Sequence, residues 1–274
     1  MVTAQTKLLR AGFVVALAAV CVGGVGLAAQ SAAQQSGAVA RDARPDVDAP
    51  APGGANADYA RGLAYLNGDG VPQSYEQAAI WLQKAAEQGH AEAQNELAAL
   101  YEEGQGVPQD FAVAVSWWRR AAEQGLADAQ NFLAVMYDNG TGVPADRREA
   151  FTWYRRAADQ GHAAAQNNLG LLYEIGGGVS LDYAEALKWY RRSAAQGWAP
   201  AHANLGLAYI GGVGLPADFI EGDKWLRIAV QRSSGDEQAR YDDLREALEK
   251  KMSSEDIVEA WQRAREWLIE FQRR

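Results

Sequence analysis

From about residue 57 to residue 232 the apolar positions fall into a pattern that copies itself every 36 residues without an insertion. Each copy predicts two amphipathic helices. Helix A of the second copy runs from about Glu92 to Glu103, where Leu97, Leu100 and Tyr101 give the i, i+3, i+4 spacing of one helical face. Gly104 offers the left-handed residue that ends a helix, and Gly104-Gln105-Gly106-Val107-Pro108 reads as a turn. Helix B opens at a capping residue. Ser74 stands three before Gln77, and Asp146, Asp182 and Asp218 stand three before Glu149, Glu185 and Glu221, which predicts reciprocal capping boxes. Helix B then carries Ala114, Trp117, Ala121 and Ala122 on one face and stops at Gly125.

Four further registers stay in phase. Trp81, Trp117, Trp153, Trp189 and Trp225 are 36 apart, as are Tyr65, Tyr101, Tyr137, Tyr173 and Tyr209. Gly70, Gly106, Gly142, Gly178 and Gly214 keep the same step, and so do Gly89, Gly125, Gly161 and Gly197. A period of this length is the mark of a solenoid, in which one hairpin cannot bury its apolar face alone and stacks on its neighbours. Ala98, Ala134, Gly170 and Gly206 share one register of helix A, begun by Gly62. Ala78, Ala114, Ala150 and Ala186 share one of helix B. Such small side chains let helix axes approach.

The ends differ. Residues 1–33 hold Lys7 and Arg10, then an uncharged run from Ala11 to Ala29, then small residues, which is the layout of a signal peptide; an uncleaved N-terminal anchor is the alternative. Residues 34–56 are rich in Pro, Ala and Gly and read as a disordered linker. Residues 57–232 form the repeat region. Residues 233–274 predict capping helices, one from about Asp236 to Lys250 and one opened by Ser253, with Ile257, Trp261, Ala264, Trp267, Leu268 and Phe271 at helical spacing.

Charge and composition narrow the function. The formal net charge of −9 opposes binding to a phosphate backbone, so no nucleic-acid partner is expected. Cys21 is the one cysteine and lies in the N-terminal run, which leaves no disulfide or thiolate metal site in the body. His90, His162 and His202 have no i,i+3 or i,i+4 His or Cys partner, so no metal is expected, and no cofactor either. The glycine loops lack the Lys and Ser/Thr of a phosphate loop and recur with Val-Pro, so they read as structure.

The unit from Ala163 to Gly197 resembles a Sel1-like repeat, a relative of the tetratricopeptide repeat. The resemblance is carried by Ala165, Gln166, Leu169, Gly170, Tyr173, Gly176, Gly178, Val179, Asp182, Ala186, Trp189, Tyr190, Ala194, Ala195 and Gly197. It implies an all-α fold: a right-handed α/α solenoid of five 36-residue helix-pair repeats with a C-terminal helical cap. It also implies a scaffold for protein assembly or signalling rather than an enzyme. A cysteine-rich subset of the family is credited with β-lactam binding or hydrolysis. That activity, or a cell-wall hydrolase, is an alternative, although this chain lacks those cysteines.

Repeats of this class are expected to line a concave side with helix A. The stripe Asn95, Ala99 and Glu102, then Asn131, Val135 and Asp138, then Asn167, Leu171 and Glu174 shares one helix face. It predicts a groove with an asparagine ladder, an apolar middle and an acidic edge, suited to a peptide with basic residues. The sequence reading is therefore an exported, most simply periplasmic, adaptor that binds a protein or peptide partner in the cell envelope. It would touch a membrane only through an uncleaved N-terminus, and a membrane-anchored structural scaffold is the other alternative. Helix B offers a second, basic ladder, Arg119–Arg120, Arg155–Arg156 and Arg191–Arg192, which reads first as a solvated face.

Overall fold

A computed structural model of the chain describes residues 53–273. The expected signal segment and nearly all of the expected linker lie outside the described residues. The helix-A elements are α1 (Ala55–Asn67), α3 (Ala91–Glu103), α5 (Ala127–Asn139), α7 (Ala163–Ile175) and α9 (Ala199–Gly211). They alternate with α2 (Tyr75–Glu87), α4 (Phe111–Glu123), α6 (Arg147–Asp159), α8 (Tyr183–Ala194) and α10 (Phe219–Arg232). The chain closes with α11 (Gly235–Glu249) and α12 (Ser254–Gln272). All twelve are helices, and no strand occurs among the described residues, as the solenoid reading requires. The described residues fall into two compact units. The first runs to His90 and includes Gln105–Pro108; the second holds Ala91–Gly104 and everything from Gln109 onward.

Each A–B turn closes by one repeated bond. The backbone N–H of the residue that caps helix B donates to the carbonyl of the register tyrosine: Ser74 to Tyr65 at 3.0 Å, Asp110 to Tyr101 at 2.9 Å, Asp146 to Tyr137 at 2.8 Å, Asp182 to Tyr173 at 2.9 Å and Asp218 to Tyr209 at 3.0 Å. The cap side chain then accepts from the free N–H groups of the first turn, as Asp182 does from Ala184 and Glu185, both at 3.0 Å. A reciprocal box forms at Ser253 and Asp256, and at none of the four helix-B starts where the sequence predicts one. Glu185 and Glu221 do not reach back. They pair forward with Lys188 and Lys224, one turn on, and the cation outcompetes a lone N–H for the carboxylate.

The loop glycines are contacts between repeats. A Cβ on Gly178 would stand 2.3 Å from the carbonyl oxygen of Arg147, and one on Gly142 would stand 2.4 Å from that of Phe111. Both lie at positive φ, 75° and 70°. The turn of one repeat thus lies directly on the start of helix B in the repeat before it. Within a hairpin the small register does what its size implies: a Cβ on Gly170 would meet the Tyr190 ring at 2.7 Å.

The deepest register is one residue past the tryptophans. Leu82, Trp118, Tyr154, Tyr190 and Leu226 are each 3% exposed or less. Of the register tryptophans, Trp153 and Trp189 are buried, whereas Trp81, Trp117 and Trp225 are half-buried. Helix B points its centre line at the next residue, and three of the five register indoles lie nearer the surface. In the second unit the interior is continuous from Ala98 through Trp118, Leu133, Trp153 and Leu169 to Trp189. At its C-terminal end Tyr241 and Leu248 of α11 and Ala260 and Ala264 of α12 are buried. Trp261 keeps the 36-residue step but stands 49% exposed.

Candidate functional site

The expected stripe on helix A divides by depth. Asn95, Asn131 and Asn167 are buried at 9%, 7% and 3% exposure. The Oδ1 of Asn167 accepts from Nδ2 of Asn204 at 2.8 Å, and Oδ1 of Asn95 and of Asn131 is enclosed without a hydrogen-bond partner. The asparagine ladder is therefore packing between helices, not the open polar edge expected from the sequence. The next register, Glu96, Phe132 and Asn168, is only partly buried, and Phe132 in it stacks on Trp118 at 5.3 Å. Ala99, Val135 and Leu171 are half-exposed. One turn beyond Leu171, Ile175 is 38% exposed. An apolar middle is thus present at the surface.

The acidic edge is present and partly engaged. Asp138 pairs with Arg147 at 3.1 Å. Glu174 accepts from the Tyr190 hydroxyl at 2.6 Å, and burial raises its pKa against that bond. Burial, reinforced by the charge of Glu103, pushes the Glu102 carboxyl up to about 7. Burial likewise raises Glu96. Across α3, α5, α7 and α9 there are seven carboxylates and no lysine or arginine. The helix-A elements of the second unit thus carry charge of one sign beside partly buried aliphatic side chains, which suits a cationic, partly apolar partner.

A second ladder escaped the sequence reading. Nε2 of Gln124, Gln160 and Gln196 donates to Oε1 of Gln94, Gln130 and Gln166 at 2.7, 2.7 and 2.8 Å. Gln130 and Gln166 in turn donate to the carbonyls of Ala122 and Ala158, in the last turn of the preceding helix B. Each amide thus satisfies an otherwise orphan helix-end acceptor and ties two repeats together. The pairs are 30 residues apart, so only the constancy of both glutamine registers signals them.

The histidines are structural. Nδ1 of His162 accepts from the Ala165 N–H at 3.1 Å, and its Nε2 lies 3.0 Å from Asp128, whose pKa that hydrogen bond lowers. His90 stacks on Tyr59 in the first unit, with ring centroids 4.3 Å apart. His202 replaces the ladder glutamine in the last repeat and lies edge-on to Trp225 and Trp267 at 5.6 and 4.9 Å. Among the described residues no cluster of three His, Cys, Asp or Glu side chains could hold a metal, and no helix is long and apolar enough to cross a membrane.

A family model for the Sel1 repeat matches residues 55–90, 91–126, 127–162, 163–198 and 199–234, the same five hairpins. The chain belongs to the Sel1-repeat family. Its members are generally protein–protein interaction scaffolds and typically have no enzymatic activity. The crystal structure of a Sel1 repeat protein from Oxalobacter formigenes is 35% identical, with a TM-score of 0.62 over 66% of this chain and 74% of that one. The crystal structure of c5321, a protective antigen of uropathogenic Escherichia coli strains, is also 35% identical, with a TM-score of 0.65 over 78% of this chain. This chain spans 46% of that protein. No curated protein matches the sequence.

Proposed function

We propose that this Sel1-repeat protein is an exported adaptor that holds a protein or peptide partner of the cell envelope on the helix-A face of its second unit. The observation that carries the reading is the surface around Ala99, Val135 and Leu171: half-exposed apolar side chains beside carboxylates, on helices that lack any cation. A partner segment with basic and apolar residues complements it, because apolar contact supplies affinity and charge sets approach and register. Export is supported by the order of Lys7, Arg10, the uncharged run to Ala29 and the small residues after it. The mass of the mature protein tests that step: loss of the N-terminal segment supports a released adaptor, and its retention supports an anchored scaffold.

The face itself is tested with A99K/L171K, which adds two cations and removes apolar area without touching the buried registers. Partner retention from envelope extract falls at least about tenfold, the effect expected for like-charge juxtaposition in an interface. The thermal midpoint stays near that of the unsubstituted protein. Undiminished retention on this variant rejects the face.

A further inference from the structure

The helix-B surface of the second unit carries a repeated cation–aromatic device that the adaptor reading leaves unused. Arg120 lies over Trp117 at 4.4 Å, Arg156 over Trp153 at 4.4 Å and Arg192 over Trp189 at 4.5 Å. The three arginines are exposed, and among the described residues none has a carboxylate within ion-pair distance. The nearest acid by sequence on α6, Asp159, is instead held by Arg155 at 2.9 Å. Arg155 also reaches the Trp189 ring at 5.3 Å, so Trp189 takes one guanidinium from its own repeat and one from the repeat before it. The helix-B elements α6 and α8 are joined in this way.

A guanidinium stacked on an indole keeps its edge N–H donors facing outward, while the ring beneath limits its rotamers. Less side-chain entropy is then lost when a carboxylate arrives. The charge pattern is separate from that of the whole chain. Each of α4, α6, α8 and α10 carries more arginine and lysine than carboxylate, whereas the helix-A elements beside them carry no arginine or lysine. The chain's net charge of −9 therefore does not describe this surface.

We infer that the Arg120–Arg156–Arg192 stripe is a second docking surface, and that its ligand is an acidic protein segment whose Asp or Glu carboxylates bond the stacked guanidinium groups. The inference extends the adaptor reading. With an acidic surface on helix A and a basic one on helix B, one chain can hold two partners of opposite charge.

The probe is a fluorescein-labelled peptide of alternating Glu and Ala, titrated with the full mature protein and read by anisotropy. The unsubstituted protein binds, and binding weakens as salt rises because the contacts lie at the surface. R120A/R156A/R192A binds at least about tenfold more weakly, the effect of losing three charge-assisted contacts. R120K/R156K/R192K keeps the charge but loses the planar fork, and it falls between the two. R240A/K250A/K251A removes the same charge from exposed sites on or just after α11 and leaves binding unchanged. Circular dichroism confirms that each variant is helical. Full affinity in R120A/R156A/R192A, an equal loss in R240A/K250A/K251A, or tighter binding of a sulfated oligosaccharide than of the peptide would each overturn the assignment. None of these results bears on A99K/L171K, so the two surfaces fail or stand separately.

Discussion

His202 occupies the register that holds Gln94, Gln130 and Gln166, and the variant H202Q isolates the consequence of one buried proton site. The imidazole is fully buried. Its Nδ1 lies 2.9 Å from the carbonyl of Trp198, so Nδ1 carries the hydrogen and donates. Nε2 is enclosed without a partner. A second proton on Nε2 would place a cation among Trp225 and Trp267 with nothing to accept from it and with Arg232 nearby. Burial first, then the Arg232 charge, lowers the pKa from 6.5 to about 3. The sign follows from proton counting. Between pH 6.5 and pH 3 the unfolded chain holds a proton that the folded chain does not, so stability falls as pH falls through that window and is unaffected above it. Each pKa unit corresponds to about 1.36 kcal/mol, so the loss is about 3 kcal/mol at pH 4.5 and about 4 kcal/mol at pH 3, where the folded-state site is itself half protonated. Urea unfolding of both proteins, followed by tryptophan fluorescence at pH 7 and pH 4.5, measures it. Any packing cost of glutamine enters at both values and cancels in the difference. Relative to the unsubstituted protein, H202Q gains about 2–3 kcal/mol on going from pH 7 to pH 4.5. A stability difference that does not move with pH refutes the argument.

Other outcomes follow from the same geometry. Trp118 is fully buried and stacks on Phe132 at 5.3 Å, so W118A loses about 3–5 kcal/mol in urea unfolding, whereas W261A, half in solvent, loses less than about 1 kcal/mol. G178A meets both a positive φ and the Arg147 carbonyl and lowers the urea midpoint far more than G161A, which has the same φ sign but open space around its Cβ. Q160A leaves the buried Oε1 of Gln130 without a donor and costs about 1–2 kcal/mol by the same assay. Glu102, raised to about 7, acts in the sense opposite to His202: E102Q removes a contribution to stability that is fully present below pH 4.5 and is lost as pH rises through 7, which a pH series of thermal midpoints detects.

The hairpins were readable in the sequence because a stacked contact must be made again at every step. Gly142 and Gly178 face a carbonyl of the repeat before them, so no other residue fits, and the register cannot drift. The same reasoning, carried further, explains the misplaced stripe. Asn95, Asn131 and Asn167 are constant, and constancy marks packing here. The partly buried register beside it is the one that changes, from Glu96 to Phe132 to Asn168. One residue is 100° around a helix, and periodicity within helix A cannot tell which side the preceding helix B covers. The glutamine pairs were hidden for a different reason, since each member looks like an ordinary polar residue until the fold brings the two together. Nor could composition show that Arg120, Arg156 and Arg192 each rest on a tryptophan, because that depends on how the fold orients the indole.

The adaptor reading rests on contact between a partner and the helix-A face, and site-specific photo-crosslinking reads that contact directly. A photoreactive residue placed at Leu171 in the full chain is predicted to capture a discrete envelope protein, and the same residue at Arg240 is predicted to capture none. Equal capture at both positions, or none at Leu171, would contradict the account.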